Sequence, residues 1–279
     1  MVSQIVKVTN QMPSPIQMNN SLEGVRAKFD RAQKHATEAK AICDNLAAEA
    51  SLSVNSTLSE NSSVMTLTFN SDIRIPNTLR TIIGDCLFNM RSAYDHLAWQ
   101  LVLVSGGTPN KKTQFPIMEN AIDFERSSVT LLPVQSNAIR NAVESCQPYA
   151  NTYGYENDQL WLVNKLCNID KHRLPLLTAM ATDMSSTYWG LPEGVTSPSV
   201  KIFRHPLSRG AQIASFDFGG FEVPKDFAPH VPVIVVICEM LHHWSYAQQA
   251  GSLLESLSQI LKNQVNRFFL DFFPGEVPL

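Results

Sequence analysis

Thr81–Val102, TIIGDCLFNMRSAYDHLAWQLV, is the stretch from which the rest of the chain is read. With Arg91 placed at 0° and a step of about 100° per residue, Ile83, Leu87, Met90, Tyr94, Leu97, Ala98 and Leu101 crowd between roughly 240° and 340°. That stripe predicts a core-facing helix from about Asn77 to Val104, stopped by Gly106-Gly107. Asp85, Asn89, Ser92 and His96 fall between about 100° and 160° on the same wheel. They make a polar ladder, with Trp99 near it and the i,i+4 pair Arg91 and Asp95 flanking it. A tryptophan sits poorly on a plain solvent face, so two readings stand. One is a solvated face whose ion pair contributes about 0.3–0.5 kcal/mol. The other is a half-buried functional cleft.

Working outward, Leu22, Val25, Phe29, Ala32 and Ala36 give a helical stripe within Ser21–Ala50, with Ser21 as N-cap. Residues 51–72 change period and are rich in Ser, Thr and β-branched residues around Glu60-Asn61, which predicts a β-hairpin. Ile73-Arg74-Ile75 reads as the end of a strand before Pro76. Residues 108–135 read as loop, with TQFPI extended and one helical turn at Ile122–Ser127. Helices are expected at Asn137–Cys146 and from about Asn157 to Leu174, strands at Val200–Arg204, Ala211–Phe218 and Val233–Cys238, and a last long helix from Glu239 to about Phe269. Strands grouped together rather than alternating singly with helices predict an α+β fold, a helical bundle with an antiparallel β-sheet. Residues 1–20 read as a flexible arm and 21–279 as a single compact domain.

Hydrophobic residues make up 44% of the chain, enough for a real core. A net charge of −3 argues against a protein that coats long nucleic acid with its whole surface, while leaving room for a local RNA site. The five cysteines lack C-x-x-C spacing and read as buried free thiols in a reducing compartment. With no apolar run long enough to span a bilayer, the expected location is the cytoplasm and no membrane partner is expected. Phosphate-loop, dinucleotide-binding and G-x-S-x-G motifs do not occur.

A second helix carries a second polar stripe. In NDQLWLVNKLCNIDKHRLP, residues 157–175, Asn164, Asn168 and His172 are successive i+4 neighbours, with Lys171 nearby and an apolar face of Leu162, Leu166 and Ile169. Mid-helix asparagines lower helix propensity and call for a hydrogen-bond network. Lys171, His172 and Arg173 in a last turn complement the helix dipole. Alternatively they face the Arg91 helix and bind an anion, either an RNA phosphate or a small acidic metabolite.

Arg91, four residues and His96 on one helix resemble the R-x4-H signature of the HEPN superfamily, over at most residues 76–175. The resemblance implies a helical core, metal-independent ribonuclease chemistry, Arg91 on the phosphate and His96 as its catalytic partner. Ser92 stands where that family often has a polar residue. The resemblance also implies a homodimer that completes the site and RNA as substrate. The chemistry suits the residue types, since imidazole can move a proton near neutral pH and guanidinium can neutralise phosphoryl oxygens. Neither His96→Ala nor Arg91→Ala empties the core, so each is expected to lower stability by only about 1 kcal/mol. The segment, with Asn168–Arg173, also looks like a widespread group of uncharacterised bacterial proteins, which implies no function.

The binding set expected around the catalytic pair is Ser92, Asp95, Asn164, Asn168, Lys171 and His172. No cofactor and no metal is expected. Two alternatives stay open. One is a catalytically inert helical ligand-binding module. The other is a DinB-like metal-dependent enzyme drawing on Asp95, His96, Asp170, His172, Glu239, His242 and His243. Tyr149, Tyr153, Tyr155 and Trp161 could stack on bases, but more commonly such rings seat a loop on the core.

Overall fold

The computed structural model describes residues 22–175, 177–181, 197–203, 205–225, 227–229, 231–238 and 248–279. The arm at residues 1–20, the Ser21 cap, His230, Glu239, His242 and His243 lie outside them. Among the described residues are six α-helices: α1 (Glu23–Ser51), α2 (Asn77–Val104), α3 (Ala121–Leu131), α4 (Asn137–Ser145), α5 (Gln159–Asp170) and α6 (Ala250–Phe272). Six strands accompany them: β1 (Val54–Leu58), β2 (Val64–Phe69), β3 (Leu177–Ala181), β4 (Ser199–Ile202), β5 (Gln212–Asp217) and β6 (Val233–Ile237). The fold is α+β. Among the described residues all strand pairs are antiparallel, in two sheets rather than one: β1-β2-β5-β4 and β3-β6.

α2 is the axis of the bundle, packed by α1, α5 and α6. All seven apolar stripe residues of α2 are fully buried. On α1 the small residues Ala32, Ala36 and Ala39 line the inner face, so the helices come close enough for the Cys86 thiol of α2 to donate to the Ala32 carbonyl at 3.2 Å. A Cβ on Gly251 of α6 would lie 2.7 Å from the Lys40 backbone nitrogen, so a side chain there is excluded by main chain of α1. A second core lies under the four-stranded sheet, where Met65, Leu67 and Phe69 alternate inward on β2 and meet Ile213 and Phe216. The β3–β6 ribbon joins the two cores. Leu177, Val235 and Ile237 belong to the helical core, and Ala179, Ala181 and Val233 to the sheet core.

Several boundaries differ from the sequence expectation. Ile73–Ile75 is not a strand; it finds no strand partner and leads into α2, whose N-cap is Pro76. β3 was not expected, because LTAMA does not alternate: both ribbon strands are buried almost throughout, which removes the period-two signal. α3 is a full helix of 11 residues rather than one turn, capped by Asn120 through the Asp123 N–H. α5 ends at Asp170. The N–H groups of His172 and Arg173 both turn back to the Ile169 carbonyl at 3.0 Å, so His172 lies beyond the helix rather than on its stripe. The final helix is described from Ala250, and 239–247 fall outside the described residues.

Candidate functional site

α2 and α5 pack side by side, and between them opens a cleft of about 390 Å3. Six of the eight expected site residues line it: Arg91, Ser92 and Asp95 from α2, Asn164 and Asn168 from α5, and Lys171 at the α5 C-cap. The opposite wall is a strap of irregular chain, Gln114–Glu119, which contributes Gln114, Phe115, Ile117 and Met118.

Arg91 is the organising group. Its side chain is only 12% exposed, and three donors go to three different partners. Nε–H donates to Asn164 Oδ1 at 3.2 Å, Nη1–H to Asp95 Oδ1 at 2.5 Å and Nη2–H to the Phe115 carbonyl at 3.0 Å. Asp95 Oδ1 also accepts the Phe115 N–H at 3.0 Å. The i,i+4 pair therefore grips both backbone polar groups of one strap residue, whose ring is fully buried edge-on to Tyr94 and Phe268. Irregular chain that runs into a core must find partners for its peptide groups, and this pair supplies them. Gln147, 1% exposed, holds the peptide groups on either side of Ile117: its amide donates to the Pro116 carbonyl at 2.9 Å and accepts the Met118 N–H at 3.0 Å. Trp161 Nε1–H then holds the Glu119 carboxylate at 2.7 Å.

The asparagines have a fixed sense. Asn164 Oδ1 is held by Arg91, and Asn168 Oδ1 accepts from Lys171 Nζ at 2.9 Å. The amide N–H2 groups are what each side chain has left to offer. α5 owes its start to Asp158, whose carboxylate accepts the Trp161 N–H at 3.0 Å. Burial raises the Asp158 pKa above its usual 3.8, outweighing the N–H donors of Trp161 and Leu160 that lower it. Because the folded carboxyl keeps its proton to higher pH than the unfolded one, folding is favoured while the group is protonated. That advantage is lost as pH rises from 3.8 through the folded value. Asp158→Asn keeps the cap and should abolish this component of the stability–pH curve. Asp158→Ala should lower stability by about 1 kcal/mol in urea denaturation.

His96 is not in the cleft. It is exposed, on the side of α2 that faces the start of α1, where a Cβ on Gly24 would collide with the imidazole. Its pKa is lowered first by the partial desolvation of the ring and second by Lys28, against an opposing effect of Asp95. A single chain therefore does not bring Arg91 and His96 to one point. His172 borders a second depression on the other side of α5, together with Glu119, Lys165 and Arg173. No group of three or more His, Cys, Asp or Glu side chains among the described residues is placed to hold a metal, so Asp95, His96, Asp170 and His172 do not form one set. Tyr149 packs edge-on to Phe124 and Tyr155 to Trp161, seating the loops, while Tyr153 is exposed. Cys43, Cys86, Cys146 and Cys167 are in no disulfide.

Sequence reasoning missed the strap and its clamps. Phe115 takes part through its main chain, which leaves no trace in residue type, and only Pro116 within TQFPI hinted at an extended wall. Among the described residues no helix is long and apolar enough to cross a membrane. No family model, no curated protein and no solved structure matches the chain.

Proposed function

We propose that the chain is a helical binding module, without catalytic chemistry at this cleft, that takes a small anion between α2 and α5. One observation carries the reading: both asparagine oxygens are already occupied by cations, so the groups left to the cleft are largely donors. Those donors are the two asparagine N–H2 groups, the Lys171 ammonium, the Ser92 hydroxyl and the unspent Arg91 N–H groups. Asp95 is the one carboxylate among the described lining residues, and Arg91 neutralises it. A ligand matching such a lining must accept hydrogen bonds and carry negative charge. Arg91 acts here chiefly as a positioning residue, with its guanidinium committed to holding the strap and orienting Asn164.

Calorimetric titration with inorganic phosphate tests the proposal. Asn168→Asp places a carboxylate in the cleft and pairs it with Lys171, so phosphate affinity should fall on the order of 10-fold or more. Both side chains are solvent-facing, so the fold should be unaffected. Unchanged affinity in Asn168→Asp and in Lys171→Ala would remove the cleft from consideration.

A second reading is favoured by the exposure of His96. With its pKa below the usual 6.5, the imidazole is neutral at pH 7 and able to accept a proton. Metal-independent ribonuclease activity of the HEPN kind would then need a second copy of the chain to bring another protomer's groups to the His96 side. The test is RNA incubated with purified protein in EDTA. The binding-module reading expects intact RNA. Cleavage to 2′,3′-cyclic phosphate ends, lost in His96→Ala, would replace it with the ribonuclease reading.

A further inference from the structure

We infer that the anion site is bipartite, and that its ligand carries an apolar body attached to the anionic group. The inference rests on the anion-binding reading above. Asn164 and Asn168 border two depressions at once: the donor-lined cleft on the α2 side of α5, and a larger groove of about 520 Å3 on the other side. The two surfaces differ in kind. The cleft is mostly polar, whereas the groove is mostly carbon, floored by Trp161 and Ile169. Lys165 lies across the indole with Nζ 4.5 Å from the ring centroid, so its stem adds apolar surface while its charge stays at the rim.

The rim is polar. Among the described residues it carries Lys165, His172, Arg173 and Glu119, whose carboxylate accepts the Trp161 indole N–H. An apolar floor continuous with an array of hydrogen-bond donors complements an amphipathic organic anion. The ligand class is an aryl-alkyl carboxylate. Its carboxylate takes the Asn168 and Lys171 donors, and its ring lies over Ile169. An inorganic anion would fill only the first half of such a site. The apolar half adds affinity through the area that it removes from water.

The experiment compares acetate with 4-phenylbutyrate on the full chain, by calorimetry and by NMR of the Trp161 indole N–H and the Ile169 methyl groups. Phenylbutyrate should bind more tightly than acetate, on the order of 30-fold, and should shift the Trp161 and Ile169 signals, which acetate leaves in place. Ile169→Ser should weaken phenylbutyrate on the order of 10-fold. Equal affinities for the two carboxylates overturn the bipartite site while leaving the anion cleft standing. Tighter phenylbutyrate binding with shifts confined to Phe88, at the cleft itself, also overturns it. Failure of acetate and inorganic phosphate alike would overturn the anion reading first.

Discussion

Arg91→Ala should lower the stability of the folded chain by about 3 kcal/mol and loosen the Gln114–Glu119 strap, although no core atom is removed. The substitution leaves the Asp95 carboxylate with only the Phe115 N–H, and leaves the Phe115 carbonyl and Asn164 Oδ1 without their donor. Breaking one partner out of a half-buried charged network costs more than the net worth of any one of its bonds. Asp95 is 35% exposed, which keeps the loss below the range for a fully buried pair. Sequence reasoning put this loss at about 1 kcal/mol, because a polar residue on a helix face does not look structural. Arg91→Lys should recover only part of it, since one ammonium cannot span three acceptors placed as a fork. In a double-mutant cycle with Asp95→Ala, the combined loss should be smaller than the sum. Urea denaturation measures the losses, and hydrogen exchange at Phe115 and Met118 reads the strap. Additive losses would mean that the two side chains do not act as one clamp.

Gly251→Ala should cost about 2–3 kcal/mol even though alanine is the better helix former by about 1 kcal/mol. The added Cβ would lie 2.7 Å from the Lys40 nitrogen and 2.8 Å from the Lys40 Cβ, and nearer still to the Lys40 Cα. Backbone cannot rotate aside as a side-chain tip can, so α6 must back away from α1. The shift would also disturb neighbouring contacts such as the Gln249–Asp44 hydrogen bond of 2.8 Å. Thermal unfolding of the variant against wild type measures the cost. A gain in stability would mean that α1 and α6 separate without penalty.

How much of this was legible follows from what each feature needs. The α2 stripe was readable because burial on three sides still leaves one continuous apolar face, and its polar positions marked where α5 would approach. The meeting of Arg91 with Asn164 was foreshadowed by two helices that each carried costly polar residues. The wheel also held the roughly 140° between Arg91 and His96. It could not say that α5 and the strap would lie on one side and Gly24 on the other, because that depends on how α1 crosses. His172 looked like the third rung of the α5 stripe only while the helix was taken to run to Leu174. The strap was opaque for a different reason: Phe115 and Pro116 are gripped by their peptide groups, which every sequence has. Gln147 could have been suspected, since it stands alone before Pro148 at a helix end.

Nitrogen-15 NMR titration of the chain with inorganic phosphate tests the central claim most directly, because it observes the donors themselves. The side-chain N–H2 signals of Asn164 and Asn168 should shift together and saturate, with the Arg91 Nε–H following through Asn164 and the His96 imidazole unmoved. Saturating shifts at His96 and around Gly24, with the two asparagine side chains unchanged, would contradict the account.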